Sequence, residues 1–227
     1  MRSTKIVINN QTFFIYFNLS KKIYSIFAEQ IKVYDMKLVL MSTPQFFVEE
    51  HQILTALFDE GLEMVHLNKP NSEPVFCERL LTLIPDTYRK LIVTHDHFYL
   101  QNEYELRGIH LSERNSERPA NYHGKVSCTC NSIEDVVAVK KEMDHVIWDT
   151  SSVDLPLLMK DNARRKNIDK KVYVSGTIDV ENIQQVAEYG FGGIVLQNAI
   201  WDRFDIRNTQ DFKEIINYFR KLKRIVD

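Results

Sequence analysis

Short apolar segments alternate with longer amphipathic segments eight times after Met36. Each apolar segment has the length of a strand, is rich in Val, Ile and Leu, and does not alternate with polar residues, which is typical of strands covered on both faces. The eight predicted strands are residues 37–41, 64–67, 91–94, 108–111, 126–128, 145–148, 172–174 and 193–196. Eight strand–helix units in roughly 190 residues predict an α/β fold, a (β/α)8 TIM barrel over residues 36–227, whose chemistry lies at the carboxyl ends of its strands.

The amphipathic segments predict helices between these strands. The first covers residues 44–60, with Thr43 as its N-cap and Gly61 as its stop. Ser72 is a candidate cap for the second helix, and Ser132 precedes an acidic first turn and predicts a strong fifth helix. The remaining connections are predicted as a short segment at 98–107, a polar loop at 113–124 and helices at 73–83, 133–143, 155–166, 180–189 and 211–224.

Residues 1–35 precede the repeating pattern and are interpreted as an N-terminal extension outside the barrel. Their apolar stretches, residues 13–17 and 23–28, are separated by Asn18, Lys21 and Lys22. A secretory signal needs one unbroken apolar region, so this segment is not predicted to be one. The extension could form a strand and a helix, or Met36 could be the natural start, and the sequence leaves both open.

Composition narrows the class of partner. The formal net charge is −2, with 44% apolar and 26% charged residues, so neither duplex nucleic acid nor an anionic membrane is expected as the main partner. No segment approaches the ~20 apolar residues of a membrane span. The three cysteines are sparse and odd in number, which favours a reducing cytoplasm. We therefore expect a cytoplasmic protein whose partner is neither nucleic acid nor a membrane, and the composition leaves open whether it forms a homo-oligomer.

Polar residues follow the predicted strands, and those after the last two strands predict a phosphate site. Ser175-Gly176-Thr177 and Gln197-Asn198 offer hydroxyl, amide and backbone N–H donors, and glycine allows the backbone to approach an oxyanion closely. Phosphate is often bound at this place in such barrels. A tight turn between a strand and a helix would use the same three residues, so that alternative stays open.

Asp96, between His95 and His97, is the best candidate metal ligand. A carboxylate just beyond a strand can hold Mg2+ together with a substrate phosphate, while the two histidines could indicate a transition metal or only a solvated loop. His66 and His110 lie within strands and are interpreted as buried, hydrogen-bonded histidines. Lys69 could neutralise a phosphate, or it could be a solvated lysine at the rim.

Several short motifs, taken in order, resemble those of the thiamine phosphate synthase and thiazole tautomerase family. The resemblance covers residues 36–200. The motifs are the opening residues 37–41, Gly61-Leu62, His66-Leu67-x-Lys69-Pro70, Gly108-Ile109-His110-Leu111, the helix start at Ser132 and the segment from Gly190 to Ile194. Their order over eight strands, more than any single motif, supports the resemblance.

The resemblance implies an enzyme that joins a pyrimidine methyl diphosphate to a thiazole phosphate, releases pyrophosphate and uses Mg2+. It implies catalytic roles for Lys69, Asp96 and His95, with Asp96 also holding the metal. The residues it implies for substrate binding are His66, Asn68, Ser127, Asn131, Ser175, Gly176, Thr177, Gln197 and Asn198.

The chain departs from the family pattern at charged positions. Asn68 stands where the family has an arginine, Asn115 where it has a second aspartate, and Asn131 where the tautomerases have a histidine. Three functions therefore stay open. The chain could be a thiamine phosphate synthase with weak activity, a barrel that binds a phosphorylated ligand without turning it over, or a tautomerase- or aldolase-like enzyme. The last would use His95, His97 or Lys160 as acid or base.

Overall fold

The computed structural model describes residues 3–8, 11–16, 34, 36–205 and 211–227. The chain divides into two compact units, residues 1–33 and residues 34–227. In the first unit, β1 (Ser3–Ile8) and β2 (Gln11–Tyr16) pair as an antiparallel hairpin. The second apolar stretch of the extension, residues 23–28, lies outside the described residues.

The second unit contains a closed barrel of eight parallel strands. These are β3 (Lys37–Met41), β4 (Met64–Leu67), β5 (Ile92–Thr94), β6 (Gly108–Leu111), β7 (Lys125–Cys130), β8 (His145–Asp149), β9 (Val172–Ser175) and β10 (Gly193–Leu196). Neighbours in sequence are neighbours in the barrel, and β10 closes it by pairing with β3. The predicted (β/α)8 fold is confirmed, and each predicted strand is within two residues of its observed bounds.

The barrel interior has an apolar part and a polar part. Strand residues alternate between the interior and the helix-covered face. Seven interior side chains form an apolar cluster separate from the main core: Val39, Met41, Met64, Val93, Ile147, Tyr173 and Val195. Interior positions on β4, β6, β7 and β8 also carry His66, His110, Ser127 and His145, all buried. The main core lies between the outer face of the sheet and the helices.

Within the described residues the helices are α1 (Glu50–Asp59), α2 (Pro74–Leu83), α3 (Asp86–Arg89), α4 (Leu100–Glu103), α5 (Ile133–Val139), α6 (Leu155–Leu158), α7 (Asn162–Arg165), α8 (Ile183–Ala187), α9 (Asn198–Trp201) and α10 (Lys213–Val226). The polar connection after β6 has no helix, as predicted. The predicted sixth helix is wrong as one element, because α6 and α7 are separate turns, each capped by an aspartate. In the described part of the chain, no helix is both long and apolar enough to span a bilayer.

Two of the three predicted helix caps are wrong. The Ser132 side chain accepts a hydrogen bond from the Asp135 backbone N–H, as predicted. Thr43 instead donates to the carbonyl of Gln45, and α1 begins only at Glu50. Ser72 contacts the Cys77 thiol, while α2 begins at Pro74, whose fixed φ suits the first helical turn.

Candidate functional site

The loops after β4, β5 and β6 meet at one ion pair, between Arg114 and Asp96. The Arg114 Nη2 lies 3.1 Å from Asp96 Oδ2 and donates to Asn68 Oδ1 at 2.8 Å. Asn115 Nδ2 also donates to Asp96, at 2.9 Å from Oδ1, and to the His95 carbonyl at 3.0 Å. Since parallel strands end at the same side of a barrel, these groups form one part of its carboxyl rim. Of the predicted site residues, the structure thus brings Asn68, His95 and Asp96 together.

Four histidines lie directly beneath this rim, inside the barrel. His66 Nδ1 is 2.9 Å from His95 Nε2, and His66 Nε2 is 3.2 Å from His145 Nε2. His110 hydrogen-bonds the hydroxyls of Ser127 and Thr129, each at 2.9 Å. His66 and His110 are therefore buried and hydrogen-bonded, as predicted. His66 and Ser127, which were expected to bind substrate, are both buried.

Burial keeps these histidines neutral. Desolvation, with Arg114 and His145 adding positive charge, lowers the pKa of His95 to about 3. Burial likewise lowers the pKa of His66 and of His110 well below the usual value for histidine, with neighbouring histidines adding to it. The pKa of His145 is also lowered by burial, against an opposing effect of Asp144. Neutral imidazoles with such low pKa values are poor general bases near pH 7.

Among the described residues, one group of three side chains has metal-binding atoms close enough together to suggest an ion: His66, His95 and His110, within 4.8 Å of one another. A metal bound by imidazole lies in the plane of the ring. The rings of His95 and His110 are stacked, with centroids 4.0 Å apart and planes 18° from parallel, so the two planes do not meet at a shared ion. The arrangement fits packing and hydrogen bonding better than metal coordination.

Lys69 does not face the mouth of the barrel. Its Nζ lies 2.6 and 2.8 Å from the two carboxylate oxygens of Glu50 and donates to the Gln45 carbonyl at 2.8 Å. Both charged side chains are fully buried, and the ammonium lies over the Phe46 ring. Burial raises the pKa of Glu50 to about 7 and lowers the pKa of Lys69, while their mutual attraction opposes both shifts. The structure therefore places Lys69 in a buried ion pair, away from the position expected of a phosphate ligand.

A polar cavity of 460 Å³ lies beyond β9 and β10. It is lined by five of the predicted binding residues: Ser175, Gly176, Thr177, Gln197 and Asn198. The backbone N–H groups of Gly176 and Thr177 have no hydrogen-bond partner among the described residues. Asn182 Nδ2 donates to the Thr177 carbonyl at 2.8 Å and holds this loop in place. Free N–H groups in a fixed loop form a suitable site for an oxyanion.

The backbone at Gly176 requires glycine. Its φ is +149°, and a Cβ atom built there would lie 2.6 Å from Thr150 Oγ1. Thr150 in turn donates to the Ser175 carbonyl at 2.7 Å, which ties the ends of β8 and β9 together. Three aspartates also border the cavity; the side chains of Asp149 and Asp179 accept hydrogen bonds within their own loops.

Asn131 lies elsewhere, in a second cavity of 550 Å³ between the β6 loop and α5. Thr129, Ser112 and Arg114 border the same cavity. Arg114 thus belongs both to the rim and to this neighbouring space.

Comparison with solved structures identifies the family. The structure superposes on thiamine phosphate pyrophosphorylase from Bacteroides thetaiotaomicron with a TM-score of 0.80 and 44% sequence identity, over 85% of this chain and 98% of that chain. The chain belongs to the thiamine phosphate pyrophosphorylase family. The resemblance seen in the sequence motifs is confirmed.

Other solved structures share the fold at much lower identity. Thiamine phosphate pyrophosphorylase from Pyrococcus furiosus is 14% identical, with a TM-score of 0.66 over 85% of this chain and 96% of that chain. Tryptophan synthase subunit alpha from Legionella pneumophila is 15% identical, with a TM-score of 0.63 over 91% and 97% of the two chains. No family model and no curated protein matches the chain.

The Mg2+ that the family implies does not fit the contacts of Asp96. Both Asp96 oxygens already accept hydrogen bonds from Arg114, and Oδ1 accepts another from Asn115. An ion on Asp96 would stand close to the guanidinium. Two unit charges about 4 Å apart repel by about 4 kcal/mol at an effective dielectric constant of about 20, and a divalent ion doubles that value. The Asn115 amide, which also donates to Asp96, supplies no charge to offset it.

Two residues of this region were missed by the sequence analysis. Arg114 lies in a connection rich in charged residues, and nothing there distinguishes it from Arg118. Glu50 carried a usable signal: it shares the helix face of Ile53, Leu54 and Leu57, and a carboxylate on an apolar stripe implies a buried partner.

Proposed function

We propose that this protein joins a pyrimidine methyl diphosphate to a thiazole phosphate and releases pyrophosphate. The observation that carries the proposal is the polar cavity after β9 and β10, with its unpartnered N–H groups at Gly176 and Thr177, in a barrel 44% identical to a thiamine phosphate pyrophosphorylase. The phosphate of the thiazole would bind there through backbone and hydroxyl donors. The pyrimidine would lie nearer the rim at Asn68 and Asp96.

The chemistry demands little of acid–base groups. The carbon–oxygen bond to the diphosphate breaks and its electron pair leaves with pyrophosphate, while the thiazole supplies the pair for the new bond. The rim must therefore stabilise negative charge on the leaving group and hold the two rings together. The neutral, buried histidines beneath the rim suit the floor of such a site, because they offer hydrogen bonds without a competing charge.

Incubation of the purified chain with both substrates tests this proposal. We expect thiamine phosphate and pyrophosphate to appear in equal amounts. Asn198→Ala should raise KM for the thiazole phosphate, whereas Asn217→Ala, an exposed substitution on α10, should leave it unchanged. Absence of product with wild-type protein, with or without Mg2+, would reject the synthase.

A second function, binding a phosphorylated ligand without turnover, is favoured by one observation. The lysine expected to meet the diphosphate is buried against Glu50, so the rim has less positive charge than an efficient synthase needs. Under this function, thiazole phosphate should raise the melting temperature while no product forms. No comparable observation favours the tautomerase- or aldolase-like enzyme, because His97 bonds the Ser72 carbonyl and Lys160 is exposed outside the cavities described above.

A further inference from the structure

Arg114 is the one guanidinium that the described contacts place on the Asp96 rim. A tight turn fixes its loop, since Ser112 and Asn115 exchange backbone hydrogen bonds at 3.1 and 3.0 Å. The side chain joins three loops: Nη2 bonds Asn68 after β4 and Asp96 after β5, and Nε lies 3.3 Å from Asp96 Oδ1. The guanidinium is therefore held at a fixed place before any ligand arrives.

This guanidinium is only partly satisfied. Nη1 has no hydrogen-bond partner among the described residues, and 37% of the side chain is exposed. Its carboxylate partner is shared, because Asn115 also donates to Asp96. A planar fork with unused donors facing solvent is suited to phosphate oxygens, which arginine binds through parallel hydrogen bonds.

We propose that Arg114, rather than a divalent cation on Asp96, binds the diphosphate end of the substrate. The inference rests on the proposed function and specifies which group meets the leaving pyrophosphate. It also accounts for Asn68, which contributes no charge of its own but positions the guanidinium through the 2.8 Å contact. In the loop after β4 the Lys69 ammonium is paired with Glu50, so the loop after β6 supplies the positive charge beside Asn68 and Asp96.

Calorimetric titration with pyrophosphate, in EDTA and separately in Mg2+, tests the proposal. We expect wild-type protein to bind pyrophosphate in EDTA. Arg114→Met should weaken this binding by about tenfold or more, the usual effect of losing a charge-assisted hydrogen bond. Arg118→Met is the matched control, because Arg118 lies in the same connection but bonds the Tyr122 carbonyl, and it should bind like wild type. Binding by Arg114→Met equal to that of wild type would overturn the proposal.

Asp96→Asn separates the guanidinium from a metal site. The amide oxygen can still accept from Arg114, and removal of the carboxylate charge should tighten pyrophosphate binding in EDTA, because a negative charge beside the anion is lost. A Mg2+ site needs the carboxylate, so binding that appears only with Mg2+ and disappears in Asp96→Asn would contradict the proposal. Should Arg114→Met fail to fold, Arg114→Lys is the second variant, because it keeps the positive charge without the planar fork. We expect Arg114→Lys to bind pyrophosphate more weakly than wild type does.

Turnover is measured on the same samples. Product formation by wild type together with unimpaired pyrophosphate binding by Arg114→Met would reject the role of Arg114 and leave the synthase standing. Pyrophosphate binding that depends on Arg114 in a protein without turnover would reject the synthase and leave the anion site standing.

Discussion

Removing Lys69 alone should destabilise the protein far more than removing it together with Glu50. In Lys69→Met, the Glu50 carboxylate loses its contacts at 2.6 and 2.8 Å and stays in a fully buried position. Breaking a buried pair by deleting one partner costs about 3–5 kcal/mol, whereas replacing both partners with apolar residues of similar size is often close to neutral. We therefore expect a loss of about 3–5 kcal/mol for Lys69→Met and of less than about 1 kcal/mol for Glu50→Met with Lys69→Met.

The penalty should depend on pH in a defined direction. Burial raises the pKa of Glu50 to about 7, so protonation of Glu50 favours the folded state. This contribution to stability is complete below the ordinary pKa of glutamate and is lost as the pH rises through about 7. Without Lys69 the pKa of Glu50 rises further. At about pH 5 the carboxyl is then protonated and the variant should be only mildly destabilised, while at about pH 8 the full penalty should appear.

Urea unfolding of wild type, both single variants and the double variant, at both pH values, measures these differences. A loss below about 1 kcal/mol for Lys69→Met at about pH 8, or a double variant as unstable as the sum of the single ones, would refute the buried-pair argument. The double variant also tests the catalytic role expected for Lys69 from the sequence. If it is stable and binds pyrophosphate like wild type, Lys69 acts in folding.

Three further predictions concern single residues. The pKa of His95 in the folded protein is about 3, so as the pH falls the unfolded chain takes up this proton before the folded protein does. The free energy of unfolding should therefore fall by about 2 kcal/mol between about pH 7 and pH 5. His95→Asn should lack that part of the pH dependence in urea unfolding, unlike exposed His123→Asn. Gly176→Ala should cost about 1–3 kcal/mol and abolish thermal protection by thiazole phosphate, while Gly190→Ala, with positive φ but open space, should keep the protection. Ser132→Ala should cost about 1 kcal/mol in thermal unfolding and exposed Ser152→Ala almost nothing; equal losses would argue against the cap.

The local pattern of apolar and polar residues was sufficient to predict the barrel but not the side-chain contacts of the candidate site. Continuous Val, Ile and Leu segments are characteristic of buried parallel strands, so β3, β4 and β10 were predicted with their observed bounds. Ser132 was identified as a cap because capping is a local interaction. The prediction of Thr43 as a cap was wrong, although threonine is a suitable capping residue, because its hydroxyl donates to the Gln45 carbonyl in the loop before α1.

The site depended on contacts between distant parts of the chain. Lys69 meets a carboxylate 19 residues earlier, and Arg114 meets Asn68 across 46 residues. In a linear sequence each looks like one more charged residue in a polar loop. The residues of the β9 and β10 loops were predictable because the barrel fixes where its strands end. The partners of individual side chains were not, because they depend on loop conformations that no periodic pattern encodes.

A crystal structure with thiamine phosphate and pyrophosphate bound together would test the whole account directly. We expect the ester phosphate in the cavity beyond β9 and β10, on the N–H groups of Gly176 and Thr177, and the pyrophosphate on Arg114 without an ion on Asp96. Both anions located away from these residues, or a metal ion seated on Asp96 with the Arg114 guanidinium displaced, would contradict it.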